Sequence, residues 1–332
     1  MFRKATVVAT VGVALVALAG CSSSGSSSSA TSNATKAAGS SAKGGLISLI
    51  TSNLDNPYWT AEANAVKEEA TKLGYKTNVT SHQQDPKKEA DLIDAAITNK
   101  SVAIILDNAG ADSSIGDVQK ATNAGIPVFL VNAEINKDGI AKAQLVSNNA
   151  QGAAIGAQQF VKAMGSKGTY VELVGLSTDT NAAVRSNGYK SVLSQYPDLK
   201  LLQQETADWD QKKGFDKMQL MLQAHPDITG VISGNDQMAL GAIAAIKQAG
   251  KSGKILVGGF DGSPEAAAAV KDGALAYTVL QPVVDFSKLA VDQADQYLKT
   301  GKTGAASEKQ SFDCALITKA NIDKYTSFGL KP

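Results

Sequence analysis

Cysteine and histidine are scarce in this sequence, with two of each among 332 residues. His82 and His225 are isolated and lack the spacing of metal ligands, so the sequence predicts neither a metal centre nor a cofactor. Cys21 ends the apolar N-terminal run, which leaves Cys314 without a partner for an intramolecular disulfide. Cys314 stands in an apolar stretch, where a small buried hydrophobic residue is expected rather than a nucleophile.

An excess of one charge and the common catalytic motifs are also missing. The chain has 32 basic and 31 acidic residues without a basic block, which argues against nucleic acid and highly anionic ligands. Residues 250–252 and 301–303 resemble the end of a phosphate loop. The glycine required five residues earlier is Ala245 in one case and Gln296 in the other, which favours two helix-end turns. We therefore expect no enzyme.

The one long apolar run lies at the N-terminus. Residues 5–20 follow Arg3 and Lys4 and are too few for a comfortable membrane span, but they are typical of a secretory signal. The run ends in Leu-Ala-Gly-Cys21, which resembles the lipobox of bacterial lipoproteins and implies a lipid on Cys21. The alternative is an ordinary secretory signal with an incidental cysteine. We expect residues 1–20 to be the signal peptide and residues 21–44, rich in serine, to be a flexible tether.

From residue 45 onward, short apolar runs alternate with amphipathic stretches. The run 46–51 predicts a buried strand, and 57–73 predicts a helix with an apolar stripe at spacings of three and four residues. The alternation continues to about residue 300 and is too long for one typical domain. The sequence therefore predicts an α/β protein with two parallel sheets covered on both faces by helices.

Polar side chains follow many of the predicted strands, where open α/β sheets bind their ligands. These positions include Ser52 and Asn53, Asp107 and Asn108, Asn132, Asn235 and Asp236, Phe260 and Asp261, and Gln281. Their amide and carboxylate groups suit neutral hydroxyls and do not form a nucleophile-and-base set. A polyhydroxy ligand is the expected partner.

Six segments resemble the ribose-type family of periplasmic sugar-binding proteins. They are SNLDNPYW (52–59), AAVRSNGY (182–189), ADWD (207–210), GNDQMALGA (234–242), GGFDG (258–262) and LAYTVLQP (275–282). The resemblance implies the type I periplasmic binding protein fold, with two doubly wound lobes that close on a ligand about a hinge. The expected N-terminal lobe is 45–147 with 282–311, and the expected C-terminal lobe is 148–281 with 312–332.

The resemblance also implies ligand contacts from Asn56, Tyr58 and Trp59, from Arg185, Trp209, Asn235 and Asp261, and from the hinge residue Gln281. With the polar residues after the strands, the candidate ligand-binding set is Ser52, Asn56, Tyr58, Trp59, Asp107, Asn108, Asn132, Arg185, Trp209, Asn235, Phe260, Asp261 and Gln281. Whether Asp107 or Asn108 faces the ligand stays open. The alternatives are core packing for both tryptophans, a surface or interlobe salt bridge for Arg185, and helix capping for Asn235 and Asp261.

One position departs from the family. Asn132 and Ala133 stand where the family normally has Asp-Arg, a strong pair of contacts to ring hydroxyls. Ala133 has no side-chain hydrogen-bonding group, so ribose itself is in doubt. A smaller or acyclic polyol, or a sugar of different stereochemistry, fits the change.

These observations predict an extracytoplasmic lipoprotein that captures a small neutral sugar or sugar alcohol. We expect it to be a monomer, anchored to the cell membrane, that serves an ABC permease and ATPase and has no nucleic-acid partner. A receptor that presents a sugar or furanosyl signal to chemotaxis or a sensor kinase is the alternative. A hydrolase would need paired catalytic carboxylates, for which Asp107 and Asp261 are the possible members. A repressor of this fold would need access to DNA, which an exported protein lacks.

Overall fold

The computed structural model describes residues 44–331, in which strands and helices alternate. The strands are β1 (Leu46–Thr51), β2 (Lys76–Ser81), β3 (Ala103–Leu106), β4 (Val128–Val131), β5 (Ala143–Ser147), β6 (Gly168–Val174), β7 (Leu199–Thr206), β8 (Gly230–Ser233), β9 (Leu256–Asp261), β10 (Tyr277–Leu280), β11 (Lys309–Phe312), β12 (Ala315–Thr318), β13 (Tyr325–Thr326) and β14 (Gly329–Leu330).

The helices cover both faces of the sheets. They are α1 (Pro57–Lys72), α2 (Pro86–Thr98), α3 (Ile115–Asn123), α4 (Asn149–Met164), α5 (Thr180–Leu193), α6 (Gln211–Ala224), α7 (Asp236–Gln248), α8 (Pro264–Asp272) and α9 (Val283–Thr300), with a 3₁₀ turn at Ile322–Lys324. Among these helices, none combines the length and apolar character that a membrane span requires.

Two six-stranded sheets organise the molecule. The first has the order β11-β5-β4-β3-β1-β2 and the second the order β12-β10-β9-β8-β6-β7. Strands β3, β4, β8 and β10 are buried along their whole length, as expected for parallel strands with helices on both faces. The predicted α/β fold with two doubly wound sheets is confirmed.

Strand β12 departs from the parallel pattern, because it pairs with β10 in the antiparallel direction. Only Asp313 and Cys314 separate β11 in the first sheet from β12 in the second. Since β11 runs parallel to β5, it ends at the carboxyl edge of the first sheet, and the short link enters the second sheet at its own carboxyl edge, so β12 runs opposite to β10. The described chain also passes between the sheets after β5 and after β10. The lobe boundaries expected from the sequence stay a prediction.

Cys314 lies at this passage and is buried. Its burial raises the pKa of the thiol to about 12, so the thiol stays protonated at neutral pH. The role of a small buried hydrophobic residue, expected from the sequence, agrees with this placement.

Three helices begin at the cleft between the sheets, and a side chain caps each of them. Asn56 accepts from the backbone N–H of Tyr58 at 3.0 Å, and Asn235 accepts from that of Met238 at 2.9 Å. Asp179 likewise caps α5. A side-chain cap stabilises a helix by about 1 kcal/mol, and here it also fixes a polar group beside the cleft.

Candidate functional site

The carboxyl ends of the strands of both sheets face a small cavity. It is lined by Asn56, Tyr58, Trp59, Asn132, Asp179, Asn181, Arg185, Trp209, Asn235, Asp261 and Gln281. An adjoining cavity shares Trp59, Asp179 and Trp209 and adds Ser52, His82, Gln84, Asp107, Asn108, Ala109 and Leu176. The two cavities have volumes of about 20 and 10 Å³, so the walls of the cleft are nearly in contact.

A larger open groove lies at the opposite, amino ends of the second sheet, between Met164, Ile246 and Leu256. Its lining is mostly apolar and lacks the converging polar groups of the cleft. We therefore place the candidate site in the cleft, where parallel sheets bind their ligands.

The first wall of the cleft consists of Asn56, Tyr58, Trp59, Asp107 and Asn132, all from elements of the first sheet. Trp59 Nε1 donates to Asp107 Oδ2 at 2.6 Å, and Asn132 Nδ2 donates to the same oxygen at 2.9 Å. The Tyr58 hydroxyl donates to Asn132 Oδ1 at 2.9 Å. These bonds fix two rings and one amide in a single network, because each group has a buried partner.

The second wall consists of Asp179, Asn181, Arg185, Trp209, Asn235 and Asp261. The Arg185 guanidinium, buried at its centre, donates from Nε to Asn149 Oδ1 at 2.7 Å and from Nη1 to the Gly234 carbonyl at 2.9 Å. Its Nη1 also lies 3.5 Å from Asp261 Oδ1. The guanidinium carbon stands 3.9 Å from the centre of the Phe260 ring, a cation–π contact that holds it from the far side.

Asp261 is the carboxylate of this wall. Burial raises the pKa of Asp261 to about 6, although the Arg185 charge and the hydrogen bond from Gln281 act in the opposite direction. Gln281 Nε2 donates to Asp261 Oδ1 at 2.8 Å, which links the hinge residue to the second wall. At neutral pH the group is therefore an ionised acceptor beside a permanent cation.

Trp209 depends on two glycines and an unusual backbone. Its φ of 64° and the φ of 50° at Asp208 lie in the left-handed region, which positions the indole under the cleft. A Cβ at Gly175 would collide with the indole ring, and one at Gly234 would lie 3.2 Å from it. Burial raises the pKa of the Asp179 carboxyl and the nearby buried Trp209 Nε1 acts in the opposite direction, but this N–H makes no hydrogen bond of good geometry among the described residues.

Hydrogen bonds across the cleft join the two walls. Asn181 Nδ2 donates to the Asn132 carbonyl at 3.0 Å, and the Ala111 amide donates to the Thr178 carbonyl at 3.1 Å. Gln84 Nε2 donates to the Asp208 carbonyl at 3.2 Å. Since these bonds need both walls in contact, the structure shows the cleft closed.

The structure brings most of the predicted residues to the cleft. Asn56, Tyr58, Trp59, Asn132, Arg185, Trp209, Asn235, Asp261 and Gln281 line the main cavity, and Ser52, Asp107 and Asn108 line the adjoining one. Phe260 is the exception, because it lines neither cavity and packs behind Arg185. Successive residues of a strand point to opposite faces, so Phe260 and Asp261 cannot both face the cleft. Cys21 lies outside the described residues.

The structure distinguishes among the alternative roles considered for Asn235, Asp261 and Arg185. Asn235 both caps α7 and lines the cavity. Asp261 caps nothing, since Ser263 is the cap of α8. Arg185 is buried in the cleft rather than on the surface.

Asp179 and Asn181 line the cavity but were not among the predicted residues. The prediction took residues directly after each strand, whereas residues 175–179 separate β6 from α5. The signal available in the sequence was Asp179 itself, an acidic residue directly before a predicted helix.

With this geometry established, known proteins offer a direct comparison. Residues 47–303 match the family described as periplasmic binding protein domain. The chain belongs to this family. It is 50% identical over 294 residues to the D-apiose import binding protein of Actinobacillus succinogenes, covering 87% of this chain and 93% of that one. It is 34% identical over 275 residues to the ribose import binding protein of Escherichia coli, covering 82% and 90%.

A solved member of the family gives the same result for the fold. The solute-binding protein of Bacillus halodurans with bound myo-inositol has a TM-score of 0.79 and 27% identity, covering 86% of this chain and 98% of that one. The chain is accordingly an extracytoplasmic sugar-binding component of an ABC importer and not an enzyme. Its partners are a sugar and the membrane transporter that receives it.

Proposed function

We propose that this protein captures a small neutral pentose, with D-apiose as the first candidate, between the two walls of the cleft. The observation that carries the proposal is the lining of the main cavity, in which amide and carboxylate groups from both walls converge between two tryptophans. A relative at 50% identity named as a D-apiose import binding protein supports this choice of sugar.

The cavity chemistry suits hydroxyl groups. A sugar has C–H faces, which Trp59 and Trp209 can cover, and hydroxyls that both donate and accept. Asp261 supplies an acceptor, and Arg185 and the free N–H of Trp209 supply donors. A buried hydrogen bond to a charged group contributes about 1.5–3 kcal/mol, so a few such bonds decide which sugar binds.

The charges of the cleft favour a neutral ligand. Asp107, Asp179 and Asp261 face it from both walls, and among the residues that line the two cavities Arg185 is the one permanent cation. An anionic sugar would meet these carboxylates in a low-dielectric space. We therefore expect sugar phosphates and sugar acids to be rejected.

The change at Asn132 and Ala133 fits a ligand other than ribose. Ala133 is buried, and its backbone carbonyl accepts a hydrogen bond from Asn108 Nδ2 at 2.9 Å. Asn132, with a φ of 63°, turns its carbonyl toward Asn181 across the cleft. At the place where the family's Asp-Arg pair would contact the sugar, the Asn132 carbonyl joins the two walls and the Ala133 carbonyl holds Asn108 within the first wall.

We also propose how the protein is placed in the cell. The signal at 1–20, the lipid on Cys21 and the tether at 21–44 would anchor a monomer to the membrane beside its transporter. The two lobes, 45–147 with 282–311 and 148–281 with 312–332, would close about the hinge when sugar binds. The closed form would be the one that the permease recognises.

Calorimetric titration with D-apiose, D-ribose, myo-inositol and a pentose phosphate tests the ligand. We expect D-apiose to bind most tightly and the phosphate not to bind. At a concentration of 100 times Kd, the sugar should add about 2.7 kcal/mol to the free energy of unfolding. Binding of the phosphate in preference to every neutral sugar would overturn the proposal.

A further inference from the structure

Glu62 is a buried carboxyl directly behind the first wall. It lies on α1 one turn after Trp59 and has no exposed surface. The Thr51 hydroxyl donates to Glu62 Oε1 at 2.6 Å, whereas Oε2 has no hydrogen-bond partner among the described residues. A buried carboxylate oxygen without a donor is strongly destabilising, so this oxygen requires an explanation.

The neighbouring carboxyl of Asp107 explains why Glu62 Oε2 has no donor among the described residues. The Asp107 carboxyl accepts from Trp59 Nε1, one helical turn before Glu62 on α1, and the two buried carboxyls act on each other's pKa. Two ionised carboxylates have only acceptors and cannot bond to each other. If one of the two carboxyls is protonated, it can donate a hydrogen bond to the other. No lysine or arginine in the described part of the chain forms an ion pair with either group, so a proton is the available positive charge.

We propose that Glu62 and Asp107 share one proton in the closed protein, and that Glu62 is thereby a positioning residue for the first wall. Glu62 holds the proton and donates from Oε2 to Asp107. Asp107 stays ionised, because its Oδ2 already accepts from Trp59 Nε1 and Asn132 Nδ2. An ionised acceptor makes stronger bonds to these two donors than a neutral acid would.

The chain of contacts runs from the interior to the proposed sugar site. Thr51 holds Glu62, Glu62 holds Asp107, and Asp107 orients Trp59 and Asn132, which line the main cavity. The inference therefore rests on the proposed sugar site for its effect on binding. The shared proton itself does not depend on which ligand occupies the cleft.

Loss of this proton would place two negative charges side by side. Burial raises the pKa of Glu62 to about 7, and burial followed by the Glu62 charge raises the pKa of Asp107 well above its ordinary value. The other titratable groups that face the pair are Tyr58 on α1, His82 after β2, and Asp179 and Asp261 across the cleft, with Arg185 beyond them. His82 has a lowered pKa because of its burial and bonds through Nε2 to the Asp107 carbonyl, so it adds no positive charge at neutral pH.

The expected result is an affinity that falls as pH rises. An open cleft hydrates the pair better than a closed one, so the open form loses the proton at lower pH and closure must take a proton up again. Because closure takes up one proton, the Kd rises by up to about tenfold for each unit of pH increase between the pKa of the open form and that of the closed form. The rise should begin at the pKa of the pair in the open form and end at its higher pKa in the closed form, which burial raises to about 7 for Glu62.

The test compares Glu62→Gln with Glu62→Leu by calorimetric titration of D-apiose from pH 5 to 9. Glutamine accepts from Thr51 and donates an N–H to Asp107 without a titrating proton, so E62Q should bind like the wild type at pH 6 and show no alkaline loss. Leucine removes the donor, so E62L should bind about tenfold more weakly at pH 6. The matched control is Glu172→Gln, which replaces a buried glutamate of the second sheet whose pKa is also raised to about 7 and which should leave the pH profile unchanged.

Infrared spectra of the sugar-free protein test the proton without a ligand. The wild type minus E62Q difference should show the carbonyl stretch of a protonated carboxyl at pH 5, where the open form also keeps the proton, and this band should vanish at high pH. A wild type without the band, or with the same pH profile of Kd as E62Q, would overturn the proposal. If the band is present but D-apiose does not bind at any pH, the choice of sugar fails while the shared proton stands.

Discussion

The two walls of the cleft each bury an aspartate, and they stabilise it by different means. In the second wall Asp261 lies 3.5 Å from the Arg185 guanidinium, a permanent cation. In the first wall Asp107 has no cation and lies beside a second carboxyl, Glu62. A buried negative charge needs compensation, and arginine supplies it at every pH whereas a shared proton supplies it only while the proton is bound. The first wall is therefore the half whose charge balance fails as pH rises, whereas Asp261 in the second wall, with a pKa of about 6, loses its charge as pH falls.

Among the variants that test this difference between the walls, removal of Arg185 should have the largest effect on sugar binding and stability. Arg185→Met leaves Asp261 buried without a cation and takes away bonds to Asn149 and Gly234. Breaking such a buried pair costs about 3–5 kcal/mol, so we expect sugar binding to be lost and the protein to unfold more easily. Calorimetry and urea unfolding measure the two effects.

The double variant R185M with Asp261→Asn is its control. It removes the orphaned charge, so it should recover most of the lost stability without recovering affinity. An R185M protein with near wild-type Kd would show that the second wall does not depend on its cation.

The two tryptophans provide the next comparison, because phenylalanine keeps a ring and removes only the N–H. Trp59→Phe breaks the bond to Asp107 inside the first wall, so it should lower the free energy of unfolding by about 1–3 kcal/mol. Trp209→Phe removes an N–H that has no partner in the described protein, so it should weaken sugar binding and leave the sugar-free stability nearly unchanged. Equal losses of stability in both variants would contradict this assignment.

Asp107→Asn is expected to be milder than R185M. Asparagine still accepts from Trp59 and Asn132, and its N–H can donate to an ionised Glu62, so the network stays satisfied. We expect a loss of affinity of about 1 kcal/mol and no alkaline fall in affinity. If D107N shows the same fall in affinity at high pH as the wild type, Asp107 is not responsible for that fall.

The smallest effect is expected at the edge of the cleft. Gln84→Ala removes one bond between the walls, to the Asp208 carbonyl, at a half-buried position. We expect a loss of affinity of about 0.5–1 kcal/mol from a less stable closed form, measured as a faster release of the sugar. Lys87→Ala, at an exposed position in the first turn of α2, is the control and should change neither the affinity nor the rate of sugar release.

The sequence predicted the fold well because its signals were local. Alternating apolar runs and amphipathic stretches predicted the elements from β1 to α9, and the residues after the strands led to the cleft. The alternation predicted from the sequence ended near residue 300, so it did not include strands β11 to β14. Asn56 was predicted from the family resemblance alone, whereas Asn235 was also expected as a residue after a strand and as a possible helix cap.

Features that depend on distant packing were not predictable in the same way. Glu62 follows Trp59 by three residues and precedes Val66 by four, so its position on the apolar face of α1 was visible in the sequence. Its neighbour Asp107 is 45 positions away along the chain, and nothing local predicts that the two carboxyls meet. The antiparallel direction of β12 likewise follows from the passage of the chain between two sheets, and strand propensity does not report such a passage.

The helix caps at Asn56, Asp179 and Asn235 have a consequence for engineering and for divergence of this protein. Each side chain both starts a helix and lines the cavity, so a change that alters sugar preference there also loosens a helix. Asp107 and Asn132 lie in loops that cap no helix. New ligand ranges should therefore arise most readily at these loop positions, and a designed biosensor for another sugar should be varied there first.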